Sequence, residues 1–530
     1  MKKRVFKGVA GVLSFVLLLS CAGCGEKKSE TGSASAVKIN ETGYPISDET
    51  ITVDVFGSRS SSQTNWENML FFQEMERMTN IHMEFTPPPS DTIDERKNLA
   101  FAGDDLPEVF FGVNFETTEL LTYASEGQIV PIDGYIDKYA PNLKKILDDN
   151  PDMRKDLTAT DGHIYALSTL STAKTTFNHF FINQQWLNQL GLKTPTTIDE
   201  YTDVLRAFKS GDPNGNGKAD EIPLSLAKSW QVNWLAGAFG IWPHDNGIYV
   251  DGDEIKYGFT DERFREYLGW LHQLYSEGLL DSATFTQDSS QINAKGNDGV
   301  LGSFFGSINA NQTVGNDLAP QYDFLAPLTG PHGDKNWIKE PSVKSRFSFV
   351  ITKNCKCPEA MIRWVDYLYS MEGAYMFTFG LEGKTYTKLD DGYYQFNVPE
   401  QYSTKTEFRC KEISPADGSI PMISGDWREY GKVMKEDLEY FEALDRQTAA
   451  YAESAKIRYP ILYHDGEKSR EITSISTDLG NYVQNMHARF IIGDASLETD
   501  WDEYCETIKK IGVDRFVALY QEALDNRNSK

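Results

Sequence analysis

The strongest constraint on the fold is a regular exchange of strand-like and helix-like segments early in the chain. Ile51, Val53 and Val55 alternate with polar residues, which is typical of a strand with one buried face. Strand and helix patterns then follow each other over residues 51–57, 65–78, 81–85, 92–102 and 108–111. Strands connected through helices form a parallel sheet. The sequence therefore predicts an α/β fold.

The second half of the chain is rich in predicted helices. Thr197 and Glu200 form a capping-box pattern in front of a helix with one apolar face. Similar amphipathic patterns cover residues 261–277, 358–379 and 501–512. No internal repeat with a period of 20 to 50 residues is visible, which argues against a solenoid or a propeller.

The first residues have the pattern of an export signal. Basic residues precede an apolar stretch, residues 8–20, that is too short for a permanent membrane span. Small residues before Cys24 resemble a lipobox, so we expect a signal peptide over residues 1–23 and acylation of Cys24, with Cys21 as the alternative. Residues 24–45 then form a polar, flexible linker. This pattern predicts a lipid-anchored protein on the extracytoplasmic face of the cell membrane.

Length, charge and cysteine content restrict the class of protein. A chain of 530 residues exceeds what one hydrophobic core can support and should form two lobes. Once residues 1–23 are removed, 48 basic residues stand against 78 acidic ones, a net charge of −30 that argues against a nucleic-acid surface. The four cysteines beyond the linker are compatible with one disulfide or with free thiols. They are Cys355, Cys357, Cys410 and Cys505.

One short loop has the spacing of a calcium site. Side-chain oxygens occur at loop positions 1, 3, 5 and 9, and Gly217 stands at position 6 for the sharp turn. The predicted ligands are Asp212, Asn214, Asn216, Lys218 through its backbone carbonyl, Asp220 and Glu221. Pro223 replaces the usual glutamate at position 12, and Glu221 can close the shell instead. The strand-like exit indicates a structural Ca²⁺ rather than a sensor, and a polar turn without metal is the alternative.

Sequence motifs for catalysis are absent. No two of the eight histidines have zinc-site spacing, and no Gly-x-Ser-x-Gly motif occurs. Gly383-Lys384-Thr385 lacks the earlier glycine of a phosphate loop, since position 378 is Thr378. A carboxylate pair assembled by folding has no fixed spacing, so a glycosidase remains an alternative. We predict no catalytic residue.

The chain resembles the extracellular solute-binding lipoproteins of carbohydrate ABC importers. The resemblance is to the large calcium-containing group similar to alginate-oligosaccharide and aldouronate binding proteins, and it covers nearly all of the chain beyond the linker. Its landmarks, in order, are Asn98–Val109, Asp133–Leu143, Asp161–Leu167, Trp186–Thr197, the calcium loop, Leu274–Leu280, Gly380–Lys384 and Phe490–Gly493. Each motif alone is weak, but their shared order is specific.

The resemblance implies a two-lobed fold of the type II periplasmic-binding-protein kind. Its N-terminal lobe would comprise residues 46–165 with 310–385, and its C-terminal lobe residues 166–309 with 386–530, which carry the calcium loop. The family binds an oligosaccharide in a cleft between the lobes and delivers it to the permease subunits, and we expect a monomer. The alternatives are a surface-anchored carbohydrate-degrading enzyme, either glycosidase or lyase, and a binder of peptides or other solutes on the same scaffold.

Sugar recognition requires flat aromatic platforms surrounded by polar groups. The candidate platforms are Trp66, Trp230, Trp234, Trp242, Phe304, Trp337 and Trp427. Arg59, Arg346 and Arg428 are candidates for binding a uronate carboxylate through two parallel hydrogen bonds. For every aromatic residue in this set, ordinary core packing is the alternative.

Overall fold

A computed structural model describes most of the chain. It covers residues 38–86, 88, 92–172, 179–227, 231–306, 309–339, 341–415, 420–457 and 459–530, without the side chains of residues 345 and 346. The predicted signal peptide, Cys24 and Trp230 lie outside the described residues. In the part of the chain that is described, no helix combines the length and apolar character needed to cross a membrane.

The strands are distributed over the whole described chain. They are β1 Ile51–Gly57, β2 Ile81–Phe85, β3 Val109–Phe115, β4 Ala166–Ser171, β5 His179–Asn183, β6 Ile222–Ser225, β7 Ile248–Asp251, β8 Glu254–Tyr257, β9 Leu301–Gly306, β10 Tyr322–Leu325, β11 Trp337–Ile338, β12 Val343–Ile351, β13 Tyr386–Lys388, β14 Tyr394–Phe396, β15 Ile423–Ser424 and β16 Ala455–Lys456. The strands predicted at residues 51–57, 81–85 and 108–111 are confirmed as β1, β2 and β3.

The longest of the described α-helices lies near the end of the chain. They are α1 Leu70–Thr79, α2 Ile93–Gly103, α3 Thr117–Ser125, α4 Asp133–Tyr139, α5 Pro141–Asp149, α6 Pro151–Leu157, α7 Gln184–Gln189, α8 Ile198–Ser210, α9 Glu262–Ser276, α10 Ser289–Asn297, α11 Asn311–Leu318, α12 Pro358–Asp366, α13 Met371–Phe379, α14 Lys405–Phe408, α15 Leu438–Tyr451, α16 Gly466–Ile492, α17 Trp501–Ile511 and α18 Val513–Asn528.

Most predicted helices are confirmed, with one interruption. The Thr197 hydroxyl accepts a hydrogen bond from the Glu200 amide at the start of α8, as the capping pattern predicts. The helix predicted over residues 358–379 is instead two helices, because Ser370 leaves the helical conformation and caps α13. Gly373 makes this break possible, since a Cβ there would lie 1.9 Å from the Tyr367 carbonyl oxygen.

Two sheets organise the molecule. The first has the order β15-β4-β12-β3-β1-β2 and the second has the order β10-β5-β9-β6. In the first sheet only β12 runs against its neighbours, so the other five strands end at one edge, which we call the carboxyl edge. In the second sheet β6, β9 and β10 end where β5 begins. The predicted two-lobed α/β fold is confirmed.

The observed sheets distribute the chain differently from the predicted lobes. Strands β4 and β15 belong to the first sheet, although they fall in segments predicted for the C-terminal lobe. Strand β10 belongs to the second sheet, although it falls in a segment predicted for the N-terminal lobe. The reason is long-range pairing: β4 pairs with β12 about 180 residues away, and β15 then pairs with β4. Local spacing does not reveal such partners.

Each sheet has its own apolar core. In the first lobe, Phe72 stacks against Trp364 on one face of the sheet, with 6.5 Å between ring centroids. On the other face Phe101 stacks against Phe110 at 5.3 Å. In the second lobe, Tyr201 on α8 shares a hydrogen bond of 2.5 Å with Ser303 on β9.

The first lobe is closed at its amino edge by an N-terminal strap, residues 38–49. The Arg363 guanidinium on α12 donates to the carbonyl oxygens of Asn40 and Gly43. The Ile46 amide donates to the Thr79 carbonyl oxygen at the end of α1, at 3.0 Å. The strap therefore holds the start of the described chain at the edge of the sheet opposite the carboxyl edge.

The lobes are joined by segments that meet at Tyr451. The chain crosses between the sheets after β4, between β10 and β12, and along α15, whose last residue, Tyr451, packs in the core of the second lobe. The ring centroid of Tyr451 lies 5.2 Å from His179 at the start of β5 and 5.2 Å from Trp337 on β11. Its hydroxyl donates to the Leu325 carbonyl oxygen at 2.5 Å. One buried side chain at the end of α15 thus contacts both of the other connections.

A second contact between the lobes involves the C-terminal helix α18. Arg527 Nε lies 2.6 Å from Asp156 Oδ1 on α6, and both side chains are largely buried. Burial raises the pKa of Asp156 to about 6, although Arg527 opposes this shift. Lys530 Nζ also donates to the Thr158 carbonyl oxygen at 2.6 Å.

Acid should destabilise the second lobe through His487. This buried ring lies 2.9 Å from the Tyr504 hydroxyl, and burial lowers its pKa to about 3. The unfolded histidine has a pKa near 6.5, so its contribution is complete above about pH 6.5 and is lost as the pH falls. We expect the difference in unfolding free energy between the wild type and His487→Gln to shrink by about 1.4 kcal/mol per pH unit below that point. Denaturant titrations at several pH values measure it, and a constant difference would contradict the assignment.

Candidate ligand-binding site

A cavity of about 640 Å³ lies at the carboxyl edge of the first sheet, beside the crossing segments; we call it the edge pocket. Its walls come from the end of β4, the start of β12, the loop after β15 and one face of α15. The lining residues are Ser171, Thr172, Lys344, Ser424, Gly425, Asp426, Trp427, Arg428, Glu429, Asp437, Tyr440, Phe441, Leu444, Asp445 and Thr448. Arg446, on the same helix, pairs with Asp323 of the second lobe at 2.9 Å, so α15 spans the junction of the lobes.

Trp427 is a partly buried aromatic platform in the edge pocket. Tyr375 and Phe379 on α13 contact it edge-on, with centroid distances of 5.5 and 5.9 Å and interplanar angles of 85° and 78°. Tyr440 and Phe441 add two aromatic rings from α15. Hydroxyl and carboxylate groups surround these rings, which is the combination that sugar rings require.

Arg428 is fully engaged by protein groups. Its guanidinium donates to Asp426 Oδ1 and Oδ2 and to both carboxylate oxygens of Asp445 on α15. Its carbon centre also lies 4.8 Å from the Phe441 ring centroid. Arg428 holds the pKa of both carboxyl groups below their usual range. The arginine therefore ties the loop after β15 to α15.

The loop that carries Trp427 and Arg428 is fixed at its other end by Lys432. Its ammonium group lies 5.3 to 5.7 Å from the ring centroids of four tyrosines, and it donates to the Tyr386 hydroxyl at 3.1 Å. The four rings are those of Tyr375, Tyr386, Tyr394 and Tyr430. Tyr375 contacts both Lys432 and Trp427, so the platform has a rigid support.

Trp66 is a core residue and not a wall of the pocket. Its side chain is 1 % exposed, stacks against Phe72 at 5.7 Å and donates to Gln63 Oε1 at 2.9 Å. The ring lies over Gly57 at the end of β1, where a Cβ would be 2.4 Å away. The predicted position in the loop after a strand is correct, but the missing side chain at Gly57 lets the ring turn inward.

The other predicted aromatic platforms, within the described residues, are also covered. Phe304 packs against Phe181 and Tyr322 in the second lobe and has no exposed surface. Trp234 and Trp337 are buried together with 6.0 Å between their ring centroids. Trp242 is buried against Tyr249, at 5.0 Å. These aromatics stabilise the second lobe and, in this structure, offer no face to a ligand.

The structure places the two remaining arginine candidates differently. Arg59 follows β1 at the carboxyl edge and donates to Asn65 Oδ1, and its role in binding stays a prediction. The side chain of Arg346 lies outside the described residues, although its backbone is part of β12. The structure thus brings Trp427 and Arg428 together in one pocket, as neighbours on one loop.

Two aromatic wall residues were not predicted from the sequence. Tyr440 and Phe441 are adjacent in a stretch that contains several acidic residues. Tyr440 is 40 % exposed, which is unusual for a large aromatic side chain in this protein. Adjacent aromatics at the start of an acidic helix are a signal that could have drawn attention to α15.

The predicted calcium loop connects α8 to β6, at the end of the second sheet away from the crossing segments. Asp212 adopts a positive φ of 44°, and its carboxylate accepts from the Asn216 and Gly217 amides, both at 3.1 Å. The Asn214 and Asn216 side-chain amides donate to Asp220, which lowers the pKa of that carboxyl group. The loop is therefore wrapped around its own polar groups.

Glu221 is the exceptional group in this loop. Its side chain is buried and its Oε1 atom has no hydrogen-bond partner among the described residues. Burial raises its pKa, and the charges of Asp220 and Asp212 raise it further. No set of three or more histidine, cysteine, aspartate or glutamate side chains is grouped for metal binding within the described ranges. A cation here would depend on amide and carbonyl oxygens as well as carboxylates.

Within the described residues, no disulfide joins the four cysteines beyond the linker. Cys357 and Cys410 are buried, and Cys355 and Cys505 are partly buried. Of the two alternatives that the sequence left open, the structure therefore shows the one without a disulfide.

Comparison with known proteins identifies the family. The model of the family "bacterial extracellular solute-binding protein" matches residues 60–375. The chain belongs to this family. The curated proteins similar to it include the fructooligosaccharide ABC transporter substrate-binding protein FusA of Streptococcus pneumoniae, 30 % identical over 99 % of both chains. Another is the polygalacturonan/rhamnogalacturonan-binding protein YtcQ of Bacillus subtilis, 21 % identical over 88 % of this chain and 92 % of that protein.

Solved structures show the same fold. FusA of S. pneumoniae in complex with kestose has a TM-score of 0.72 and 29 % identity, covering 90 % of this chain and all of that one. A FusA EF-hand mutant in complex with fructo-nystose gives the same TM-score at 28 % identity and the same coverage. The family predicted from the sequence motifs is confirmed.

Proposed function

We propose that this protein is the substrate-binding component of an ABC importer. It captures an oligosaccharide in the edge pocket and delivers it to the membrane permease. The observation that carries the proposal is the arrangement of Trp427, Tyr440 and Phe441 among polar groups at the junction of the lobes. The similarity to FusA over the whole chain supports the same function.

Binding would proceed through stacking and lobe closure. The apolar C–H faces of a sugar ring lie against the aromatic rings, and its hydroxyl groups exchange hydrogen bonds with the pocket side chains. In this proposal the lobes close on the ligand and open again by bending of the crossing segments around Tyr451. No bond is made or broken in this cycle.

Calcium binding by the loop of residues 212–221 is a second part of the proposal. The unpartnered, buried Glu221 oxygen fits a bound cation, because a hard divalent ion would satisfy both its charge and its lone pairs. Asp212 and Asp220 supply further carboxylates, and the asparagines and the Lys218 carbonyl supply neutral oxygens. The existence of an EF-hand mutant of FusA supports a related loop in a similar protein. The ion would stabilise the second lobe and take no part in sugar contact.

Acylation of Cys24 would place the protein at the extracytoplasmic surface of the membrane. This part of the proposal is based on the lipobox-like sequence and on the extracellular character of the family. A tether raises the effective concentration of the binder at its permease. Mass spectrometry of the N-terminal residue of the mature protein distinguishes acylation of Cys24 from that of Cys21.

A panel of glycans tests the proposed function. Residues 38–530 form one compact unit, so we expect purified protein of this length to be stabilised against heat by a subset of oligosaccharides. Isothermal titration then gives the affinity, and chromatography of the bound sugar shows whether it is released unchanged. Absence of any shift across the panel would contradict the proposal, and shortened products would favour a carbohydrate-degrading enzyme.

A further inference from the structure

The charges in the edge pocket are unbalanced. Among the described side chains, four carboxylates line it, against two cationic groups. The acids are Asp426, Glu429, Asp437 and Asp445, and the bases are Lys344 and Arg428. The described lining therefore has a formal excess of two negative charges. Lys405, whose Nζ lies 3.7 Å from Asp437 Oδ1, offsets one of them, and the remaining excess disfavours an anionic ligand.

Arg428 cannot offset this excess for an incoming carboxylate. Its two Nη atoms donate to Asp445 and its Nε donates to Asp426, at donor–acceptor distances of 2.6 to 2.9 Å. One face of the guanidinium also lies against Phe441. A uronate could bind Arg428 only by displacing one of these carboxylates, which would leave an uncompensated charge on α15 or on the loop after β15.

The same groups suit an uncharged sugar. Carboxylate oxygens accept hydrogen bonds, and neighbouring hydroxyls of a neutral sugar can donate to them. Ser171, Thr172 and Thr448 can donate as well as accept, so they can satisfy the remaining hydroxyl oxygens. The aromatic rings contact the C–H faces and make no use of charge.

We infer that the edge pocket selects uncharged oligosaccharides and discriminates against uronic ones. This inference rests on the proposed function and specifies its substrate class. It differs from the hypothesis drawn from the sequence, in which Arg428 is one of three candidates for binding a uronate carboxylate. It also separates this protein from a relative that is named for polygalacturonan.

The test compares ligands of matched length by isothermal titration. Neutral fructo-, malto- and xylo-oligosaccharides of three to five units are the first set, and oligogalacturonates of the same lengths are the second. We expect at least one neutral set to bind and every uronate to bind at least about tenfold more weakly. Uronates that bind as tightly as the best neutral ligand would overturn the inference and leave the proposed function standing. If neither set binds, both the inference and the proposed function fail.

A pair of variants tests the cause. Asp445→Asn removes one negative charge and one charged partner of Arg428. We therefore expect the ratio of the uronic to the neutral dissociation constant to fall at least threefold. Glu471→Gln is the matched control. Glu471 lies on α16, away from the edge pocket, and both of its carboxylate oxygens accept hydrogen bonds from the Arg515 guanidinium. If the ratio of dissociation constants is unchanged in Asp445→Asn, or falls equally in Glu471→Gln, the role assigned to the pocket charges is overturned.

Discussion

Replacing Trp427 by alanine is expected to weaken oligosaccharide binding by roughly thirtyfold, or about 2 kcal/mol. Tyr375 and Phe379 contact this ring from α13, while the ring also lines the edge pocket. The neighbouring rings already hold the Trp427 ring in place, so ligand binding costs little conformational entropy there. The substitution therefore loses nearly the full free energy of stacking. Isothermal titration with the best ligand of the glycan panel measures the effect.

Two controls separate stacking from folding. Trp427→Phe keeps a flat ring and should retain most of the affinity. Tyr393→Ala removes a partly exposed aromatic side chain that does not line the edge pocket, and should leave affinity unchanged. A Trp427→Ala protein with normal thermal unfolding and an affinity within twofold of the wild type would show that the pocket lies elsewhere.

Calcium should reverse the sign of the Glu221→Gln effect on stability. Without the ion, the buried carboxylate lacks a partner for Oε1, so neutralising it should raise the melting temperature by roughly 2 °C. With calcium bound, the same change removes a charged ligand and should lower the melting temperature by at least about 4 °C. Thermal unfolding in chelator and in millimolar calcium measures both values.

The sign reversal is specific to a cation site. Asp212→Ala should lower the melting temperature in calcium and make it independent of calcium. Glu503→Gln, an exposed glutamate on α17, is the control and should respond to calcium as the wild type does. A wild-type melting temperature that ignores calcium, or a Glu221→Gln effect of one sign in both conditions, would argue for the metal-free turn.

Local patterns predicted the start of the first lobe well because its elements there are formed by neighbouring residues. The alternation at β1 and β2 and the helix between them depend on side-chain periodicity, which is visible in the sequence. The cap at Thr197 is similarly local, since the hydroxyl and the amide it binds are three residues apart. The order of the family motifs then specified the two-lobed fold.

The edge pocket depends on contacts that no local pattern shows. Its walls combine residues 171–172, 424–429 and 437–448 with Lys344, and long-range strand pairing brings them together. Trp66 illustrates the opposite error, because its burial depends on the space above Gly57 and on its contact with Phe111. For aromatic residues, the choice between core and ligand platform is decided by tertiary packing.

The N-terminal strap has a mechanical consequence. Any pull transmitted along the chain towards Lys38 enters the first lobe through the bonds from Arg363 to Asn40 and Gly43. These bonds lie at the amino edge, one strand length of about 20 Å from the carboxyl edge that carries the pocket. The force therefore acts on the first lobe and is not transmitted through Tyr451 at the junction of the lobes. A protein held by its leading end would therefore bear the load on the first lobe alone, and the pull would add no restraint on the second lobe.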